Sequence, residues 1–111
     1  MKFEYSPYIA VQVKNYDKAV DFYQRVLGME FVEKEGNDTY LQSGPINFCI
    51  ENAPQGAHSV VFFEYKVFNV NEARKLLERE GCIVTEIYNE KSMMFIDPYG
   101  MRFHVWEEGA F

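Results

Sequence analysis

Apolar and polar positions alternate along two stretches of this chain, one near its start and one near its middle. In the first stretch, Ile9, Val11 and Val13 are separated by smaller or more polar residues. Residues 60–67 repeat the same alternation. A period of two is typical of a strand that is buried on one face, because successive side chains of a strand point to opposite faces. Both stretches are therefore predicted to be strands that turn one face towards a core.

Each alternating stretch is followed by apolar residues at the spacing of a helix. After the first, Asn15 offers a side-chain oxygen to the free N–H groups of the next turn, and Gly28 ends the segment. After the second, Asn69 and Glu72 form a capping-box pattern, and Gly81 ends the segment. The apolar stripes that predict two sheet-packed helices are Tyr16, Ala19, Val20, Tyr23, Val26 and Leu27 in the first segment and Val70, Ala73, Leu76 and Leu77 in the second.

An internal repeat divides the chain into two halves. The segment VKNYDKA at residues 13–19 matches VFNVNEA at residues 67–73, and each segment closes a strand and opens a helix. Three short β-prone stretches follow each helix, at residues 29–33, 39–42 and 46–51 and at residues 82–88, 91–96 and 101–107. We therefore predict one α+β domain made of two tandem βαβββ modules, about residues 1–53 and 58–111, with eight strands in a mixed sheet.

Composition and charge limit the classes of partner. The 111 residues are 48% hydrophobic, which is enough for one core, and the formal net charge is −6. No run of lysine or arginine is long enough to follow a phosphate backbone, so neither nucleic acid nor an anionic membrane surface is an expected partner. The apolar stretches have the length of strands and the first residues lack the apolar core of a signal peptide, which predicts a cytoplasmic location.

Three polar or reactive residues are assigned no function. Cys49 and Cys82 lack the CxxC spacing of a zinc or redox motif, and both are predicted to be reduced and buried. His58 lies beside the loop at residues 52–57, which contains a proline and a glycine and links the two modules. We interpret His58 as either a solvated residue or a residue at the end of a strand.

Several of these segments resemble the vicinal-oxygen-chelate superfamily, which includes glyoxalases, bleomycin-resistance proteins and dioxygenases. The resemblance lies in IAVQV at residues 9–13, in AVDFY at 19–23 with VLGM at 26–29, and in DPYGMRF at 97–103. It extends over nearly the whole chain. It implies a cup-shaped sheet of eight strands with the ligand inside the cup and the helices outside, and it implies a homodimer.

The metal enzymes of this superfamily hold a divalent ion with His and Glu side chains from the first and last strands of each module. The resemblance places the two first-strand positions on Tyr8 and Phe62, and the last-strand position of the second module on His104. Phenylalanine has no lone pair, and neutral tyrosine seldom binds a divalent ion. The chain therefore departs from the metal site of the family, and no metal cofactor is predicted.

The remaining ligand position lies in residues 46–51 and depends on strand register, because a slip of one residue moves every side chain to the other face. Counting from the preceding turn, as for His104, gives Phe48. Burial instead turns Phe48 towards the helix. In that register the residues that face the cup are Asn47, Cys49 and Glu51. Both registers stay open on the sequence alone.

The strand faces that do not pack on the helices are predicted to line the cup. The candidate ligand-binding residues on these faces are Tyr8, Gln12, Phe62, Glu64, Arg102, His104 and Trp106. Aromatic walls with a few polar groups suit a small aromatic or cationic molecule, although aromatic side chains can also fill such a cup by packing on one another. We predict that the protein binds such a molecule without the usual metal, as the bleomycin-resistance proteins that it resembles do. No catalytic residue is assigned.

The alternative function is that of an atypical enzyme of the same superfamily. It would be a metal-dependent glyoxalase-like lyase or isomerase, or a dioxygenase, with a divalent metal ion as cofactor. His104 and Glu51 are the ligands that this alternative requires. Two protein ligands hold a metal ion poorly, so the alternative needs further donors.

Overall fold

The computed structural model describes residues 1–53 and 59–111. Within them, the helices and strands follow one another in the order that the internal repeat predicts. The strands are β1 (Glu4–Val13), β2 (Glu30–Glu35), β3 (Asp38–Ser43), β4 (Ile46–Asn52), β5 (Val60–Lys66), β6 (Ile83–Asn89), β7 (Ser92–Ile96) and β8 (Arg102–Trp106). The helices are α1 (Tyr16–Arg25) and α2 (Val70–Arg79). The predictions for the inter-module linker and for His58 lie outside the described residues.

The chain divides into two compact units. The N-terminal unit contains residues 7–61, and the C-terminal unit contains residues 1–6 and 62–111. The first residues of β1 therefore belong to the C-terminal unit, where Phe3 packs against the core. Each unit is described by itself below.

The sheet of the N-terminal unit has the strand order β2-β3-β4-β1. β1 is parallel to β4, with Ala10 opposite Cys49 and Gln12 opposite Glu51. The pairs β3–β4 and β2–β3 are antiparallel. The sheet of this unit is therefore mixed.

One face of this sheet packs against α1. Its buried residues Val13, Leu41 and Ile50 are contacted by Phe48 and, from the helix, by Tyr16, Ala19, Val20 and Tyr23. The register that was predicted from burial, with Phe48 facing the helix, is therefore correct. The register that was predicted by counting from the turn, with Phe48 facing the cup, is wrong. Both counts end on the third residue of a strand, but Phe48 pairs with Leu41, which packs on the α1 side, whereas His104 pairs with Met94, on the face opposite to Phe95.

The C-terminal unit repeats the arrangement, with the order β5-β8-β7-β6. β5 is parallel to β8, and the pairs β7–β8 and β6–β7 are antiparallel. Its core lies between the sheet and α2, where Val70 and Ala73 pack with Phe95, Phe103 and Val105. The prediction of an α+β fold with two tandem βαβββ modules is confirmed.

The two helices begin differently, although the repeat predicts an asparagine cap for both. The side chain of Asn69 accepts a hydrogen bond from the Glu72 N–H at 2.8 Å, as predicted. Asn15 makes no side-chain cap hydrogen bond, so that prediction is wrong. Its backbone has φ −99° and ψ 73°, whereas Asn69 has the extended conformation, φ −146° and ψ 115°, from which a cap side chain reaches the first turn.

The end of α1 also differs from the prediction. Val26 is the C-cap of the helix, so the last two positions of the predicted apolar stripe, Val26 and Leu27, lie at or beyond its end and are exposed. Neither cysteine is in a disulfide and both are buried, as predicted. Among the described helices, neither is long and apolar enough to cross a membrane.

Candidate functional site

His104 lies on β8 at the centre of a polar and aromatic cluster in the C-terminal unit. Its neighbours Phe103 and Val105 are buried in the core against α2, so alternation along the strand turns the imidazole to the opposite face of the sheet. His104 has only 6% of its surface exposed. We name this group the His104 cluster, and it comprises Phe62, Glu64, Tyr88, Ser92, His104, Trp106 and Phe111.

Both ring nitrogens of His104 have hydrogen-bond partners. Nδ1 lies 3.2 Å from Glu64 Oε2, and Nε2 lies 2.5 Å from Ser92 Oγ. Glu64 is directly opposite His104 in the parallel pairing of β5 with β8. The partners therefore fix the orientation of the imidazole, as partners of buried histidines do.

A carboxylate, an imidazole and a hydroxyl in this order resemble a nucleophilic triad, which the sequence did not indicate. Ser92 has 0% of its surface exposed, however, so a substrate carbonyl cannot reach its Oγ. Ser92 therefore holds His104 in place. The sequence offered one signal for this role, because Ser92 opens the otherwise apolar β7 and a serine buried there needs a partner.

Aromatic rings surround the imidazole. The rings of Phe62 and Tyr88 lie edge-on to His104, at 6.2 and 5.6 Å between centroids, and the ring of Phe111 lies 6.0 Å away. Phe111 also contacts Trp106 at 5.7 Å. Tyr88 and Phe111 were not among the predicted residues. Tyr88 lies on β6, a strand that is exposed along nearly its whole length, and Phe111 lies outside the strands.

Trp106 carries the remaining polar contacts on this side. Its Nε1 donates a hydrogen bond to Ser6 Oγ at 3.2 Å, and Lys66 Nζ lies 5.4 Å from its ring centroid. Lys66 also pairs with Glu108 at 3.1 Å.

The predicted residue Arg102 begins β8 in an exposed position. Four of the seven predicted residues thus meet in the His104 cluster, namely Phe62, Glu64, His104 and Trp106.

The other two predicted residues, Tyr8 and Gln12, lie in the N-terminal unit. The ring of Tyr8 contacts Tyr40 at 5.1 Å, and Gln12 Nε2 donates to Glu51 Oε1 at 3.2 Å. The thiol of Cys49 lies 3.8 Å from the second oxygen of Glu51. We name this group the Glu51 cluster, and it comprises Gln12, Asp38, Tyr40, Cys49 and Glu51.

Negative charge is concentrated in the Glu51 cluster. Burial raises the pKa of the Tyr40 hydroxyl well above its ordinary value, and the neighbouring Cys49 and Asp38 raise it further. Asp38 and Glu51 face each other in the pairing of β3 with β4. The cluster therefore favours a cation or a hydrogen-bond donor over an anion.

The metal ligands that the resemblance implies do not fit the His104 cluster. Phe62 offers no donor atom, and both nitrogens of His104 are hydrogen-bonded. In the part of the chain that the structure describes, one group brings three ligand atoms within 4.8 Å of one another, and it consists of Asp38, Cys49 and Glu51. Two carboxylates and a thiolate are donors that divalent ions accept.

A family model described as the Glyoxalase/Bleomycin resistance protein/Dioxygenase superfamily matches residues 6–105. Solved structures with the same fold include the Mn(II)-bound glyoxalase from Novosphingobium aromaticivorans, at 20% identity and a TM-score of 0.54. The superposition covers 95% of this chain and 38% of the glyoxalase, so this chain corresponds to well under half of that protein. No curated protein sequence is significantly similar to the chain.

Two further structures are similar in fold. A superfamily member from Vibrio splendidus 12B01 has 14% identity and a TM-score of 0.57, and the match covers 96% of this chain and all (100%) of that one. Homoprotocatechuate 2,3-dioxygenase from Brevibacterium fuscum, in complex with 3,4-dihydroxyphenylacetate, has 19% identity and a TM-score of 0.57. That match covers 96% of this chain and 37% of the dioxygenase. At these identities the structures establish the fold alone.

Proposed function

Since the chain belongs to the Glyoxalase/Bleomycin resistance protein/Dioxygenase superfamily, we propose that it binds a small aromatic or cationic molecule at the His104 cluster without a metal ion. The observation that carries this proposal is the placement of His104 between the Glu64 carboxylate and the rings of Phe62, Tyr88 and Phe111. Binding sites for small molecules combine apolar walls with a few fixed polar groups, and this cluster has both.

The chemistry of the cluster supports an aromatic or cationic ligand. Aromatic faces attract cations and stack on flat rings, and the carboxylate of Glu64 adds negative charge beside them. Phe111 is 88% exposed, so a large part of this aromatic surface is open to a ligand. Arg102, which is exposed, is a further proposed ligand contact of the C-terminal unit. The ligand contacts predicted for Tyr8 and Gln12, in the N-terminal unit, stay predictions. The net charge of −6 also favours a cation over an anion.

The experiment for this proposal is a thermal-shift panel of small aromatic and cationic compounds against chelator-treated protein. A ligand at about 100 times its Kd stabilises the folded state by about 2.7 kcal/mol, which raises Tm by several degrees in a domain of this size. Phe62→Leu and Glu64→Gln should reduce the shift, whereas Phe68→Leu, at a residue that is 91% exposed, should leave it unchanged. A panel without any stabilising compound would remove the support for the proposal.

A metal-dependent lyase, isomerase or dioxygenase activity is the second candidate, and the donor atoms of Asp38, Cys49 and Glu51 favour it. A divalent ion bound there would polarise substrate oxygens. Elemental analysis of protein purified without chelator tests this candidate. A stoichiometric ion that is lost in Glu51→Gln and retained in Glu86→Gln would support it, and a metal-free protein that gains no stability from added Zn²⁺ or Mn²⁺ would exclude it.

We also propose that the protein forms a homodimer and that it is located in the cytoplasm. Exposed apolar side chains on the outer strands support self-association, since Phe31 and Val32 on β2 and Ile83 and Ile87 on β6 are each more than half exposed. Light scattering coupled to gel filtration measures the mass directly. A mass of twice the 13.1 kDa protomer is expected, and a monomer at all concentrations would contradict it.

A further inference from the structure

A cavity lies in the C-terminal unit, between the end of α2 and the turn that follows β7. Its volume is about 460 Å³, which lies in the range of pockets that hold small organic molecules. Leu77 and Cys82 line it from the helix side, Tyr65 and Phe103 from the sheet, and Phe3 from the segment that precedes β1.

This cavity is separate from the His104 cluster. Tyr65 and Phe103 each adjoin a residue of that cluster in sequence, Glu64 and His104, and adjacent residues of a strand point to opposite faces. Tyr65 and Phe103 also pack with the core against α2. The cavity and the His104 cluster therefore lie on opposite faces of the same sheet, and a ligand in one does not occupy the other.

Aromatic side chains form much of the wall. Tyr65 contacts Phe3 and Phe103 through edge-to-face arrangements, with centroids 6.4 and 6.0 Å apart. Leu77, Pro98 and Met101 complete the apolar lining. Such a wall accommodates an apolar or aromatic body, and its rings attract a positive charge placed near them.

The charged side chains of the lining are Glu80 and Asp97, and neither lysine nor arginine is among the lining residues. Asp97 is fixed in place, because its Oδ1 accepts the backbone N–H groups of Tyr99 and Met101, both at 2.9 Å. The negative charges of Asp97 and Glu80 act on Cys82, another lining residue of the cavity. Burial raises the pKa of the Cys82 thiol, and the carboxylates of Asp97 and Glu80 raise it further.

We propose that this cavity is a second small-molecule site, which binds the protonated form of an amine with an apolar or aromatic body. The apolar part lies against Tyr65, Phe103 and Leu77, and the ammonium group lies at the rim near Glu80 and Asp97. The size of the cavity, the composition of its wall and the sign of its charged groups select this class. A carboxylate or phosphate of the same size meets two negative groups and no positive one.

The test compares three probes of the same length, 4-phenylbutylammonium, 4-phenylbutanol and 4-phenylbutyrate. Each is titrated into ¹⁵N-labelled full-length protein and followed by amide chemical shifts. The ammonium is expected to bind at least about tenfold more tightly than the carboxylate at low salt, because opposite charges at a partly desolvated rim favour it. The shifts should centre on Leu77, Cys82 and Met101.

Matched variants locate the site. Leu77→Trp fills the cavity and should abolish binding of the ammonium and the alcohol, and Met101→Trp does the same from the opposite wall if the first variant does not fold. Glu80→Gln should weaken the ammonium about threefold and leave the alcohol unchanged, because it removes one of two charges. Glu86→Gln, an exposed position on β6 outside the cavity, should change neither.

Three results would overturn the proposal. One is equal affinity for the ammonium and the carboxylate, and another is full binding in the tryptophan variant that folds. The third is a set of shifts that centres on His104 and is lost in Phe62→Leu, which would assign the probe to the other face of the sheet. Shifts at Leu77 that persist in Phe62→Leu support the second site whether or not the His104 cluster binds a ligand.

Discussion

His104 lies directly opposite Glu64 in the sheet, and its Nδ1 is 3.2 Å from a carboxylate oxygen of that residue. A carboxylate in contact with Nδ1 favours the tautomer with its proton there. Nε2 is then an acceptor, and the hydroxyl of Ser92 is its donor at 2.5 Å. The contact with Ser92 is buried and the contact with Glu64 is partly buried, so the three residues form one polar network.

Removal of the Ser92 hydroxyl should destabilise the protein through His104. Ser92→Ala leaves a buried nitrogen without its partner, and an unsatisfied buried acceptor costs about 1–3 kcal/mol. Urea denaturation measures this free energy of unfolding. Ser43→Ala, at an exposed end of β3, is the matched control and should change it by less than about 0.5 kcal/mol. Equal effects of the two substitutions would show that the network does not stabilise the fold.

The asparagine caps provide a comparison within one chain. Asn69→Ala removes a side-chain hydrogen bond to the first turn of α2 and should cost about 1 kcal/mol. Asn15→Ala removes no such bond from α1 and should cost less than about 0.5 kcal/mol. Chemical denaturation of both variants measures the difference. A larger loss for Asn15→Ala would contradict the described start of α1.

The packing of the second core predicts a large difference between two phenylalanines. Phe95 is fully buried and stacks on Phe103 with centroids 5.9 Å apart. Phe95→Ala should lower the free energy of unfolding by about 3–5 kcal/mol, through lost burial and the cavity left behind. Phe68→Ala, at an almost fully exposed position, should lower it by less than about 0.5 kcal/mol. Similar losses would contradict this core.

Tyr40 should make stability fall at alkaline pH. Its pKa is raised in the folded state above the ordinary value of 10.0, chiefly by burial, so the folded protein holds the proton more tightly than the unfolded chain does. This contribution is complete below pH 10 and is lost as the pH rises above it. The free energy of unfolding of Tyr40→Phe should therefore fall less between pH 10 and 11.5 than that of the wild type. Parallel curves would contradict the assignment.

Much of the fold follows from the sequence because its signals are local and repeated. Apolar residues alternate around Val11 and around Phe63, and a helical stripe follows each alternation in the sequence. These patterns predict the order of the elements, and the structure confirms that order. The cap at Asn15 fails because a side-chain type does not determine the backbone angles that a cap needs. Phe48 could not be placed by counting, since its face follows from its pairing with Leu41, and the count from the turn does not contain that pairing.

The candidate site is less predictable for a similar reason. Glu64 and His104 come together because the register of β5 and β8 pairs them, and strand alternation predicted only that they share a face. Ser92 and Tyr88 reach His104 from strands whose pairing no sequence pattern specified. Contacts between residues distant in sequence depend on pairings that the periodicity of a single strand does not contain.

The most direct test of metal-free binding at the His104 cluster is calorimetric titration of the strongest compound from the panel into protein kept in excess chelator. The wild type should bind one equivalent per chain, and Phe68→Leu should match it. Phe62→Leu should bind at least about tenfold more weakly, because the buried ring of Phe62 packs edge-on against His104 and holds the imidazole in place. Binding that disappears in chelator and returns with a divalent ion would contradict the account, as would full affinity in Phe62→Leu.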